Sequence, residues 1–94
     1  METITRHLRI EGRVQGVHYR ASLVELARRL GVAGWVRNRA DGSVEALVQG
    51  SPQAVQALID WAHRGPERAQ VEAVRVTAVA DAPRHDGFEQ RATA

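Results

Sequence analysis

Apolar residues recur along this chain with two different periods, and the switches between them mark out its elements. Ile4, Leu8 and Ile10 share one face of an alternating stretch, with Thr5, His7, Arg9 and Glu11 on the other. That is the pattern of a half-buried strand, and Arg6 is its one break. Leu23, Leu26, Ala27 and Leu30 then fall at i, i+3, i+4 and i+7. They predict a helix with one apolar stripe, closed by Gly31 as its C′ residue. Val32 to Asn38 reads as a second strand. Arg39-Ala40-Asp41-Gly42 reads as a hairpin turn, because Asp-Gly readily takes positive φ. Ser43 to Gln49 alternates again and predicts a third strand.

Ser51-Pro52 supplies an N-cap and a first helical residue for a second helix. Val55, Leu58, Ile59 and Ala62 keep the helical spacing, and Gly65-Pro66 ends it. Val74, Val76 and Ala78 predict a fourth strand, Pro83 breaks the chain, and Phe88 anchors a short last strand. The order is β-α-β-β-α-β with one strand added at the C-terminus. It implies an α+β fold of ferredoxin-like type. The sheet is mixed and mostly antiparallel, with both helices on one face. Residues 1–94 are expected to form a single domain.

Composition narrows the function classes. The chain of 94 residues is 44% hydrophobic and 26% charged, which suits a folded domain and not a disordered one. There is no cysteine, so disulfides, thiolate metal sites and a cysteine nucleophile are excluded. All thirteen basic residues are arginine, yet the net charge is only +2. That is not the profile of a strongly cationic nucleic-acid binder. Met1 to Ile10 carries no apolar signal-peptide core, and no stretch is long enough to span a membrane. A cytoplasmic protein is expected.

Candidate chemistry concentrates between the first strand and the first helix. Gly12-Arg13-Val14-Gln15-Gly16-Val17-His18-Tyr19-Arg20 is a glycine-bearing turn that points backbone N–H groups at one spot, in front of a helix N-terminus. Arg20 adds a planar fork of donors suited to a phosphoryl or carboxylate group. A plain strand-to-helix connection would use the same glycines. However, a cation in a first helical turn is unfavourable by roughly 0.3–1 kcal/mol, and a bound anion offsets that. Walker A is absent, because no Gly-Lys-Ser/Thr run occurs. Asn38, at the end of the second strand, is a second candidate. Its amide can accept from a water while donating to an oxygen, although asparagine also serves turns.

Taken together, these two segments resemble the acylphosphatase family, and the likeness runs along nearly the whole chain. Ile10 to Arg20 is similar to the family's first signature, Gly-x-Val-Gln-Gly-Val-x-aromatic-Arg. Gly34-Trp35-Val36-Arg37-Asn38, followed by Gly42-Ser43-Val44 and Gly50, is similar to its second. Tyr19 stands where phenylalanine or methionine is usual, and its hydroxyl needs a partner if buried. The tail, Phe88 to Ala94, departs from the usual ending. The resemblance implies hydrolysis of a small acyl phosphate to a carboxylate and phosphate by direct attack of water. It also implies that Val14, Gln15, Gly16, Val17, His18, Tyr19 and Arg20 form the phosphate-binding segment. Arg20 and Asn38 would be the catalytic pair, with Asn38 placing the water. No cofactor and no metal are implied, and a monomer without nucleic-acid or membrane partners is expected.

His7, His18, His63 and His85 have no metal-ligand spacing. His18 reads as surface, His7 as a solvated sheet residue, and Trp35 and Trp61 as packing. Arg37 and Arg39 bracket Asn38 and would raise the local potential for an anion. Aromatic content is 4% and the third strand has no aromatic, which argues against an RNA-binding sheet. A non-catalytic anion-binding regulatory module of the same fold is the alternative function.

Overall fold

The computed structural model describes residues 2–94. Strand β1 (Ile4–Arg13) leads to helix α1 (Tyr19–Leu30), β2 (Ala33–Asn38), β3 (Val44–Gly50), α2 (Pro52–Ala62), β4 (Gln70–Ala78) and β5 (Phe88–Gln90). The sheet order is β4-β1-β3-β2-β5. The β1–β3, β1–β4 and β2–β3 pairs are antiparallel, and β5 lies parallel to β2. This is the expected topology, with the added strand closing one edge.

The element ends follow from local hydrogen bonds. Gly31 takes φ 74° after α1. Val32 N–H then donates to the Ala27 carbonyl at 2.8 Å, so Val32 closes the helix and β2 starts one residue later than its sequence predicts. Ser43 is likewise withheld from β3, because its N–H and hydroxyl both donate to Asp41 Oδ1, at 3.0 and 2.6 Å. Ser51 caps α2 by accepting from Ala54 N–H at 3.2 Å, with Pro52 in the first turn.

The core fills the space between the helices and one sheet face. Leu8 and Ile10 of β1, Val36 of β2, and Val44, Ala46 and Val48 of β3 are all fully buried. They meet Leu23 and Ala27 of α1 and Val55, Leu58 and Ala62 of α2. The buried stripe of α1 is Tyr19, Leu23, Val24 and Ala27, with Leu26 and Leu30 only half-buried. It is rotated from the expected stripe because Tyr19 reaches toward α2. There its hydroxyl donates to the Ala62 carbonyl at 2.8 Å, and its ring lies 5.3 Å from Trp61. Burial pushes the Tyr19 phenol well above its usual value, so it remains a donor.

β4 departs most from expectation. Val76 is 44% exposed, although its register opposite Leu8 puts it on the helix side. The helices lie over β1, β2, β3 and β5, and the edge strand runs beyond their cover. Arg6 occupies that same face, half-buried, and donates to the Thr5 carbonyl at 3.0 Å.

Candidate functional site

β1 and β2 end at the same end of the sheet, because both run antiparallel to β3 and both pair near Val44. The loop after β1 and the turn after β2 are therefore neighbours. Val14 and Val17 anchor the loop by burying their side chains in the core. Gly16 takes φ 73° and His18 takes φ 63°, which turn the backbone sharply into α1. His18 occupies the N-cap position but makes no capping bond through its side chain, and the first turn of α1 holds no acidic residue. The helix thus presents uncapped N–H groups and its positive end toward the loop.

Arg20 sits in that first turn, half-buried. Among the described residues, its guanidinium joins none of the ion pairs. A cavity of about 330 Å³ opens there, lined by Val14, Gly16, His18, Tyr19, Arg20, Ala21 and Gln90. Five of the seven residues in the expected phosphate-binding segment line it. Val17 is turned into the core, and the Gln15 side chain is directed across to the β2–β3 turn. A larger cavity of about 570 Å³, lined in part by Ile4, Arg6, Gln49 and Arg84, lies at the opposite end of β1. It has no helix N-terminus and no part of either motif.

Asn38 does not line the 330 Å³ cavity, but it stands beside the loop that does. Its register opposite Val44 places it on the helix side of the sheet, in line with Val36. Its Oδ1 is buried and, among the described residues, meets no protein donor. A buried acceptor of this kind takes its hydrogen bond from a water or a ligand.

The flanking arginines behave differently from the expectation drawn from their positions. Arg37 Nε donates to Glu45 Oε1 at 2.7 Å and Arg39 Nη1 to the same oxygen at 3.2 Å. Both point to the sheet face away from the helices, so their charges serve Glu45 and not the cavity. His7 is held there too, with Nε2 2.6 Å from Glu45 Oε2, and is not simply solvated. Burial would raise the Glu45 carboxyl, but the hydrogen bonds from His7 and Arg37 and their charges outweigh it and lower its pKa. On the same face Trp35 packs between the guanidiniums of Arg37 and Arg91, 4.8 and 4.9 Å from its ring centre, where cation–π attraction holds it.

Two features at this end were not foreseen. Gln90 reaches the cavity from β5, and the tail continues past it along β2. Arg91 N–H donates to Val36 O at 2.8 Å, Ala94 N–H to Asn38 O at 3.1 Å, and Ala40 N–H to Ala94 O at 2.9 Å. Arg28 fixes β5 from the helix side by donating to the Phe88 carbonyl. Alternation from Phe88 places Gln90 on the inner face, but nothing in so short a strand names its partner. Among the described residues, no three His, Cys, Asp or Glu side chains cluster as a metal would need, and no helix is long and apolar enough to cross a membrane.

Comparison with known proteins agrees with this architecture. The acylphosphatase of Acidovorax sp. (strain JS42) is 67% identical over 93 residues, covering 97% of this chain and 93% of that protein. The acylphosphatase of Thiobacillus denitrificans (strain ATCC 25259 / T1) is 56% identical over 87 residues, covering 93% and 96%. Among solved structures, the acylphosphatase from Bacillus subtilis superposes with a TM-score of 0.91 at 32% identity, covering 94% of this chain and 98% of that one. The family model described as Acylphosphatase matches residues 6–90, and with these relatives it establishes that the chain belongs to the acylphosphatase family.

Proposed function

We propose that this chain hydrolyses the carboxyl–phosphate bond of small acyl phosphates, with Arg20 and the 14–20 loop holding the phosphoryl group and Asn38 orienting the attacking water. Family membership supports the activity. The observation that carries the assignment of roles is a convergence at one sheet end. Among the described residues, a helix N-terminus without a side-chain cap, bearing an arginine outside every ion pair, stands at the same end of the sheet as an asparagine whose Oδ1 has no protein donor.

The chemistry asks little more of the protein. Phosphoryl transfer depends on positioning and on stabilising charge over the equatorial oxygens. Arg20 and the loop N–H groups supply both for the phosphoryl group. The water oxygen forms a bond to phosphorus as the bond from phosphorus to the acyl oxygen breaks. The electron pair leaves with the carboxylate, whose low pKa removes the need for a general acid. The water releases one proton to a phosphoryl oxygen, giving dihydrogen phosphate, so the substrate acts as its own base. No carboxylate or imidazole is required beside Asn38. We further propose that the enzyme works as a cytoplasmic monomer without metal, cofactor or nucleic acid, since the chemistry assigned to Arg20, the loop and Asn38 calls for none of them.

The test is hydrolysis of benzoyl phosphate by the purified protein, with and without EDTA, beside Arg20→Ala and Asn38→Ala. The expected result is chelator-insensitive turnover that both variants lose, with Asn38→Ala lowering kcat far more than it raises KM. A large rise in KM at unchanged kcat for Asn38→Ala sinks the water-orienting role. Phosphate binding without turnover in the wild type leaves the loop as an anion receptor and points to the regulatory module.

A further inference from the structure

Gln15 lies in the middle of the proposed phosphate loop, yet its carboxamide is engaged elsewhere. Its Nε2 donates to the Arg39 carbonyl at 2.8 Å and to the Ser43 carbonyl at 2.9 Å. Both hydrogens of one amide nitrogen are thereby used on the two sides of the β2–β3 connection. The neck of that connection is closed by Arg39 N–H donating to Ser43 O at 2.8 Å. Its tip is held by Asp41, which accepts from the Ser43 N–H and hydroxyl. Gln15 therefore grips a stiff turn and not a loose one.

The positions of these contacts give them their meaning. Arg39 directly follows Asn38, and Gln15 lies in the segment that leads into Arg20. Among the described residues, these two bonds are the only side-chain hydrogen bonds between residues 14–20 and residues 38–43. The residue type suits the task. Glutamine carries two donors on one planar nitrogen at the end of a two-methylene arm. Glutamate at this place would turn acceptors toward two carbonyl oxygens, and asparagine would stop one methylene short.

We propose that Gln15 is a positioning residue, which sets the distance between the anion cradle and the Asn38 amide instead of gripping the phosphoryl group itself. This rests on the role given to Asn38 above. In-line attack requires the water and the phosphorus to be held in register, and a misplacement of about 1 Å can lower the rate by about 10²-fold. Freed from Gln15, the Asn38 turn keeps its own internal bonds but loses its tether to the loop.

The test is a double-mutant cycle on benzoyl phosphate hydrolysis, using Gln15→Met, Asn38→Ala and the pair. Competitive inhibition by inorganic phosphate is measured for each, at enzyme concentrations that resolve residual turnover above spontaneous hydrolysis. Gln15→Met is expected to lower kcat by about 10- to 100-fold. KM and the phosphate inhibition constant should stay within about twofold. In the Asn38→Ala background, Gln15→Met should cause no further loss. Gln15→Asn, which perturbs packing least, should give the same pattern at smaller amplitude and keeps the test open if Gln15→Met fails to fold. Losses that multiply across the cycle overturn the proposal, as does a phosphate inhibition constant that weakens in step with kcat. If Asn38→Ala alone keeps the wild-type kcat, the role of Asn38 has failed. If Asn38→Ala is impaired while Gln15→Met is not, only the tether has failed.

Discussion

Gly34 offers a sharp test of how the sheet that carries Asn38 is built. It lies in β2 at φ 137°, paired with Val48 of β3 and Phe88 of β5. A Cβ there would overlap the Leu47 carbonyl oxygen and sit 2.8 Å from its carbonyl carbon. Both atoms are backbone in the middle of the sheet, so no side-chain rotation relieves the overlap. Gly42, in the turn, is the natural comparison: its φ is 95°, but a Cβ there would meet nothing within 4 Å. Alanine at Gly42 incurs backbone strain alone, about 1–2 kcal/mol. Alanine at Gly34 incurs that strain and must also push β2 off β3. Several ladder bonds near Gly34 would then fail, each worth about 0.5–1.5 kcal/mol net. A total of about 4 kcal/mol or more is expected, which is exceptional for one methyl group. It approaches the entire stability of a domain of this length, roughly 5–14 kcal/mol. Urea unfolding followed by the fluorescence of Trp35 and Trp61 measures the difference. With a slope of about 1–2 kcal/mol/M, Gly42→Ala lowers the midpoint by about 1 M and Gly34→Ala by about 2 M or more, or unfolds the protein outright. Equal midpoints for the two variants would refute the reasoning, because the variants differ in space and not in sign of φ.

Tyr19→Phe removes the hydroxyl that donates to the Ala62 carbonyl while keeping the ring against Trp61. A loss of about 1–2 kcal/mol is expected, read as a fall of about 4–16 °C in a thermal melt. An unchanged melting temperature would mean the bond contributes nothing net. Glu45→Gln tests the charge cluster on the open face, where a lowered carboxyl pKa contributes stability above the unfolded value of 4.5 and loses it as pH falls through the folded value. The variant should be less stable than wild type by on the order of 1 kcal/mol at pH 7, with the gap closing below pH 4.5. A gap of the same size at pH 7 and pH 3, by urea midpoint, would show that ionisation of Glu45 is not the cause.

Short-range pattern made most of this protein legible from its sequence. The alternation around Leu8 and Ile10, the stripe of Val55, Leu58, Ile59 and Ala62, and the stops at Gly31 and Ser51-Pro52 all report constraints within a few residues. The two glycine-bearing motifs likewise named the loop and the strand end, because turns into helices and hairpins use a restricted set of residues. What lay beyond that reach was set by partners distant in the chain. Val76 fits a buried strand pattern, and only the helices' position over the other strands leaves it exposed. Arg37 and Arg39 bracket Asn38 in sequence, but strand alternation and Glu45 draw their charges to the opposite face. Gln90 and the tail reach the site through parallel pairing with β2, for which three residues carry no local signal. The Gln15 side chain finds its acceptors in a turn some 24 residues away, which no local pattern announces. Local periodicity is written in each segment by its own burial. Which segments meet, and which face a side chain finally serves, is decided only when the chain closes on itself.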